Sequence, residues 1–379
     1  MLYAAKRLRI EKDIITRVMR ILPGQGKLSV NLGQEVTPEE IIGSSTVSSG
    51  FRTINLATLL SVPHQDVTKY LKKKFGQRIY KGELLAYKQG GWLSPKKEVV
   101  SPTDGILDFL NSSTGELRMS FLPKKMDLAA GVYGIVEHID TQKGLVAIKT
   151  QASKIYGVLG TGRARDGILK KMSSRDDLIN RSKILLKDAE HILLGGSLVY
   201  KDAIAAAISA NIHGIITGGL NANDYRGMAG GRLIFPRKLD NDVGITIVAC
   251  EGFGSIPIGT DIYEILSKFD GRFVSIDGNL GQIVLPTFTS SSMARIRSTS
   301  LPKLLSPGFD TDTKSDVLEI KIGQRVRIAG SSFRGEQGKI IAINKTQTLL
   351  ESGLKAYLLT IETKSRKLQM PSTNIEIIA

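Results

Sequence analysis

The chain has 379 residues, 41% hydrophobic and 23% charged, which excludes a fully disordered polypeptide and leads us to expect two or three domains. Lys and Arg number 52 against 36 Asp and Glu, and the net charge of +16 favours an anionic partner: nucleic acid, an acidic protein or a membrane surface. Aromatic residues at 6% are too few for a long base-stacking platform, and the one cysteine, Cys250, excludes an internal disulfide.

Residues 1–20 form a basic N-terminal segment. Up to residue 27 there are seven cations (Lys6, Arg7, Arg9, Lys12, Arg17, Arg20, Lys27) against Glu11 and Asp13. The bland reading is a solvated charged face, and the functional one a tail on nucleic acid or an acidic partner. No apolar core follows these charges, so the segment is not expected to act as a secretory signal. No apolar run approaches the roughly 18 residues of a spanning helix, and a soluble cytoplasmic protein is expected. The histidines His64, His138, His191 and His213 lie far apart, so neither a metal nor a cofactor is expected.

Residues 21–160 read as short strands with Gly turns and one amphipathic helix near Gln65–Phe75. The run Gly33-Gln34-Glu35-Val36-Thr37-Pro38-Glu39-Glu40-Ile41-Ile42 is repeated in plan by Gly76-Gln77-Arg78-Ile79-Tyr80-Lys81-Gly82-Glu83-Leu84-Leu85, a sign of internal quasi-symmetry. Trp92 falls in a loop between strands. Lys81-Gly82-Glu83-Leu84-Leu85-Ala86 and Val99-Val100-Ser101-Pro102-Thr103-Asp104-Gly105-Ile106-Leu107 resemble the biotinyl/lipoyl-like barrel-sandwich hybrid. No Met-Lys or Asp-Lys-Ala pattern surrounds Lys96 and Lys97, so a rigid structural unit is expected rather than a carrier. Val100–Gly105 is also similar to a segment of phosphatidylserine decarboxylases. The Gly43-Ser44-Ser45-Thr46 run lies upstream of it, in the wrong order for that family's self-cleavage, and reads as a loop.

Residues 161–185 are polar and basic and read as a connector. Residues 186–285 alternate strand and helix: Ile192–Leu194, an Ala-rich helix over 200–211, Gly214–Thr217, Gly244–Cys250, and a helix over Ile262–Phe269 that Asp261 is placed to cap. This order implies a small parallel-sheet α/β domain. Ligands in such sheets bind beyond the strand C-terminal ends, which gathers Ser197, Thr217, Gly218, Gly219, Glu251, Gly252 and Phe253 as a candidate ligand site. Glu251 has no sequence-near His, Ser or carboxylate partner, so it is expected to cap a helix or bind an amide. Cys250 reads as a buried apolar residue, and Phe253 as a core plug or an anchor. Gly214-Ile215-Ile216-Thr217-Gly218-Gly219-Leu220 resembles the DRTGG domain, although the Asp-Arg of that name is absent.

Residues 286–316, rich in Ser, Thr and Pro, read as a linker. In 317–379, Ile322-Gly323-Gln324-Arg325-Val326-Arg327-Ile328 through Gly335-Glu336-Gln337-Gly338-Lys339-Ile340 resembles a KOW motif, and the resemblance implies a small SH3-like barrel. This segment holds ten Lys/Arg against five Glu. Arg325, Arg327, Phe333, Arg334, Gly335 and Lys339 are the candidate contacts to nucleic acid or a partner; the bland reading is a solvated basic surface.

The expected architecture is therefore a multidomain α+β chain: barrel-sandwich hybrid, parallel-sheet α/β unit and C-terminal SH3-like barrel. This order is similar to that of uncharacterised bacterial multidomain proteins. No catalytic pair is visible. The expected function is a non-enzymatic adaptor for RNA or a nucleoprotein machine, with protein partners. The alternatives are a small-molecule-sensing regulatory subunit and an accessory protein of an enzyme complex.

Overall fold

A computed structural model describes residues 1–378 apart from 23–24, 48–50, 92–94, 123, 229–243, 290, 303–316 and 331. Trp92 and most of the expected linker lie outside the described residues. Strands take 48% of the chain and helices 16%, so the protein is mainly β with several sheets.

Its spine is the strand Leu145–Tyr156, twelve residues long and buried on both faces, as a run of Leu, Val, Ile and Ala with few charges requires. Ile10–Ile21 pairs along one edge of it, from Ile21 opposite Leu145 to Ile10 opposite Ile155. On the other edge Gly134–Asp140 takes the first half and Gln282–Pro286 the second. From Gln282–Pro286 the sheet continues through Phe273–Asp277, Arg165–Lys171, Ile192–Leu194, Gly214–Leu220 and Thr246–Phe253 to Leu159–Thr161. One 13-stranded sheet thus joins the N-terminal β region to the α/β region.

The strands Arg165–Lys171, Ile192–Leu194, Gly214–Leu220 and Thr246–Phe253 are parallel neighbours, as the strand–helix alternation implies. Helix Lys201–Ser209 packs Ala203, Ile204 and Ala207 on one face with Leu193, Ile215 and Ile247. Helix Thr260–Ser267 packs Ile262 and Leu266 on the other with Leu194, Ile216 and Val248. A second layer, Gln25–Leu28, Ile41–Val47 and Lys124–Ala129, closes a core against the spine around Ile42, Val136, Val146 and Ile148.

Several expected boundaries differ. Residues 161–185 are no connector, because Arg165–Lys171 is an inner strand of the large sheet. Its charges looked solvated but are partnered: Asp166 takes Arg20 at 2.5 Å and Lys170 takes Asp188 at 2.5 Å. The 1–20 segment is not a tail either. Ile10–Ile21 is a strand whose alternate residues Thr16, Val18 and Arg20 are buried, and Tyr3–Ala5 pairs with Val317–Glu319. Residues 21–160 hold two cores. Residues 51–120 gather Leu56, Leu60, Ile79, Leu85, Leu107 and Leu117 into their own core. They sit as an insertion between Ile41–Val47 and Lys124–Ala129, which pair with each other where the insertion leaves and returns. The stretch 286–316 contains a helix, Ser292–Ser298.

The ten-residue sequence repeat is a repeated piece of geometry, and it occurs a third time. In Asn31–Gln34, Lys74–Gln77 and Lys321–Gln324 the glycine has φ of +81, +82 and +94°. Each time the glutamine Oε1 accepts the backbone N–H three residues back, at 2.9, 2.9 and 2.7 Å. The next strand then meets a glycine at the first or second position of its partner strand: Val36 opposite Gly134, Ile79 opposite Gly105, Val326 opposite Gly338. Matching bonds run from Gly33 N to Val136 O, Gly76 N to Leu107 O and Gly323 N to Ile340 O, at 2.8, 2.7 and 2.8 Å. A register shift follows Val136, Leu107 and Ile340 alike. The third copy lacks the Glu turn of the first two, which hid it from the ten-residue pattern.

These turns separate two costs. A Cβ on Gly76 meets nothing within 4 Å, so Gly76→Ala carries only the left-handed backbone cost, about 1–2 kcal/mol. A Cβ on Gly105 lies 2.6 Å from the Ser120 carbonyl oxygen, so Gly105→Ala must also displace backbone. Urea titration should show the larger midpoint loss for Gly105→Ala; the reverse order would refute the shared-turn account.

Candidate functional site

Strand Arg325–Ile328 alternates as its sequence says: Val326 and Ile328 enter the C-terminal core, and Arg325 and Arg327 point away from it. Arg325 is exposed. Arg327 is only 1% exposed, because the α/β unit lies over its end of the face. Its guanidinium holds two carboxylates from that unit. Nη2 and Nη1 reach Glu251 at 2.6 and 3.2 Å, and Nε and Nη2 reach Asp261 at 2.8 and 3.0 Å. Its cross-strand neighbour Glu376 lies 3.4 Å from Nη1. Arg9, brought in from the N-terminal segment, clamps Glu376 at 2.9 and 3.0 Å and donates to the Cys250 carbonyl at 2.9 Å. Arg334 and Arg7 complete the group, 3.5 Å from Glu251 and 3.1 Å from Glu376.

Backbone follows the charges. Helix Thr260–Ser267 has no side-chain cap. Glu251 Oε1 accepts the Gly259 N–H at 2.9 Å, and the Arg334 carbonyl accepts the Thr260 N–H at 3.1 Å. Two of the four donors left open at a helix start are therefore satisfied, one of them by the C-terminal unit. The approach requires glycine: a Cβ on Gly259 would collide with Arg327 Nη2, and one on Gly335 (φ +89°) with Thr260 N.

The expected open docking face is corrected in part. Arg327 is buried, Gly335 is packed against Thr260, and Arg334 is mostly covered, so these three join the protein's own units. Phe333 packs on the C-terminal core beneath Arg366, whose Cζ is 4.9 Å from the ring. Arg325 and Lys339 stay exposed. Glu251, assigned to the other candidate site, meets Arg327 and Arg334 of this one. Its binding of an amide matches the sequence reading, whereas Asp261 serves Arg327 rather than capping its helix. Sequence reasoning missed Arg9 and Glu376, which are 367 residues apart and share no motif.

The remaining α/β residues do come together at the strand ends, and the chain fills the space there. A Cβ on Gly218 would strike the Ile256 carbonyl, and one on Gly219 the Gly254 carbonyl. Ser197 Oγ binds the Asp176 carbonyl at 3.0 Å, and Thr217 Oγ1 the Gly196 carbonyl at 3.3 Å. Gly252 has φ +138°. Phe253 is 39% exposed and packs edge-on to Tyr225, so it is no core plug. Lys88 and Lys97, opposite each other on the hairpin of the inserted unit, both turn to Ser61, binding its carbonyl and hydroxyl at 3.1 and 2.6 Å. Among the described residues no group of three or more His, Cys, Asp or Glu is placed to hold a metal, and no helix is long and apolar enough to cross a membrane. No protein-family model matches the chain, and no curated protein is significantly similar to it.

Burial lowers the proton affinity of Arg327, but Asp261 and Glu251 outweigh it and keep the guanidinium charged. Burial pushes the Glu376 carboxyl up, yet Arg9, Arg327 and Arg7 hold it below its ordinary 4.5. A depressed carboxyl contributes stability above its unfolded value and loses it as pH falls through the folded one. Melting of the wild-type protein should therefore weaken below about pH 4.5, and an Arg9→Met variant should lose part of that dependence. Arg327→Met leaves buried carboxylates unpaired and should cost about 3–5 kcal/mol in urea titration. Arg327→Lys should recover little, since an ammonium cannot span both carboxylates. Burial, then Glu251, pushes the Cys250 thiol up to about 12, so a thiol reagent at pH 8 should label it only after unfolding; labelling of the native protein would contradict that environment.

Proposed function

We propose that this protein is a non-enzymatic adaptor that contacts RNA or a nucleoprotein machine through its C-terminal unit. In this reading residues 317–378 are a KOW-type SH3-like barrel, residues 51–120 carry the barrel-sandwich-hybrid resemblance, and the parallel-sheet region is the DRTGG-like unit. Their five-stranded, inserted and three-layer arrangements support those assignments.

The observation that carries the proposal is a row of exposed side chains left over once Arg327 is used internally. Arg325, Lys339, Glu362 and Lys367 are paired successively across four strands of the C-terminal sheet. All four are exposed, and Glu362 is engaged by Lys367 at 3.5 Å. Neighbouring strands lie roughly 4.8 Å apart, so the cations stand at the spacing of a charged strip. Such a strip attracts a phosphate backbone without reading its bases. The filled strand ends around Gly218 and Gly219 give the ligand-sensing alternative no comparable support.

Fluorescence anisotropy with a labelled single-stranded RNA across a salt series tests this. Affinity should fall steeply with salt. Arg325→Glu with Lys339→Glu should weaken binding at least tenfold and flatten the salt slope by about two, one per cation removed. Unchanged affinity in that variant would overturn the proposal.

A further inference from the structure

The three copies of the Gly-Gln turn unit place equivalent rows on equivalent sheet faces, and the chain treats the three faces differently. In the first copy the row is Glu35, Ile135, Lys149 and Arg17. The helix Ser292–Ser298 lies over it: Arg297 pairs with Glu35, and Lys149 Nζ binds the Thr299 carbonyl at 3.2 Å. In the C-terminal copy it is the charged row described above. In the inserted copy the row is Arg78, Ile106, Ser120 and Phe51, and the next row brings Phe109 opposite Arg118. Phe51 and Phe109 are 57% and 55% exposed, although the core beneath them is complete: Leu107 on the strand of Phe109 is buried in it, and Ile54 on the strand of Phe51 packs against it.

We propose that this face of the inserted unit is a second nucleic-acid site, which stacks bases of a single strand on Phe51 and Phe109 and takes phosphate on Arg118 and Arg78. It rests on the adaptor reading only for the class of partner, since every side chain it uses lies in a different unit. Arg118 is already arranged for the task. Its Cζ lies 4.8 Å from the centre of the Phe51 ring, and Asp108 fixes its Nε at 2.7 Å. The two Nη groups bond nothing else among the described residues and remain available to an anion. Asp108 also accepts from Ser120 Oγ at 3.1 Å, which fixes the carboxylate that orients Arg118. The unit carries eleven Lys/Arg against six Asp/Glu, which complements a polyanion. Exposed aromatics beside arginine on a sheet are how single strands are held without sequence readout, because every base offers a π-face. Low aromatic content limits such a site to two positions, which is what the face offers.

The test uses the full-length protein with fluorescein-labelled oligo(U) and oligo(dT) twelve-mers at low and moderate salt. Phe51→Ala with Phe109→Ala should weaken binding at least tenfold, and Arg118→Glu similarly, with the thermal melt unchanged since all three side chains lie outside the core. A preference for oligo(U) would identify RNA as the partner; equal binding would identify single strands of either sugar. Wild-type affinity in both variants, with loss in Arg325→Glu/Lys339→Glu, would overturn this site and leave the C-terminal one standing. Loss in the Phe and Arg118 variants alone would do the opposite. Displacement of the oligonucleotide by poly-glutamate with equal ease from wild type and the Phe51/Phe109 variant would also overturn it, by showing a site for acidic peptide that uses charge without stacking. Absence of wild-type binding at low salt would end both.

Discussion

The protein is organised around one buried guanidinium. Arg327 leaves the C-terminal sheet and enters the space between Glu251 and Asp261, while Arg9 closes on Glu376 behind it. Three stretches that are remote in sequence meet there: the N-terminal strand region, the end of a parallel strand with its following helix, and the C-terminal sheet. Removing so many charges from water is costly, and a well-packed apolar contact of the same size can stabilise as well or better. What the ionic contact adds is selectivity. A bidentate arginine accepts only a narrow set of positions for two carboxylates, and Gly259 and Gly335 leave room for one approach. The network therefore sets which surface of the C-terminal unit faces inward, and so which surface faces out.

That division explains why the motif residues were only half legible. Alternation on Arg325–Ile328 identified correctly which side chains leave the core. Alternation has no means of saying whether water or another unit lies beyond them. The cations in Arg325, Arg327 and Arg334 look identical in sequence, and they separate only when Glu251, Asp261 and Glu376 arrive from elsewhere. The same blindness placed Arg165–Lys171 and Ile10–Ile21 on the surface. Both strands carry charges at a density typical of solvated segments, and both satisfy them through partners outside their own strand: Arg20 meets Asp166 across 146 residues, and Lys170 meets Asp188.

Local geometry was far more readable. A glycine at positive φ followed by glutamine is a short-range device, closed by bonds within four residues, and its repetition showed in the sequence before any fold was known. The parallel α/β strands were legible for a similar reason: short apolar runs separated by an alanine-rich helix admit few other arrangements. The insertion of residues 51–120 was not, because its strands have the same length and composition as those that flank it. Only the pairing of Val47 with Lys124 marks where one core ends and the other begins.

The recurrence of one small β unit also gives the faces a common frame. Identical backbone turns fix identical rows, so differences between copies report what each face meets rather than how it is built. Where the row holds Glu35, a helix bearing Arg297 covers it. Where the row holds Arg325 and Lys339, water meets it. Where it holds Phe51 beside Phe109 and Arg118, apolar rings stand in water on a unit whose core is already closed. Leaving an aromatic ring half in water forgoes about 25 cal/mol for each Å² that burial would have removed. The first copy demonstrates that this backbone can supply its own cover. The second copy has no such helix over its row among the described residues, and the side chains left exposed there are Phe51, Phe109, Arg118 and Arg78.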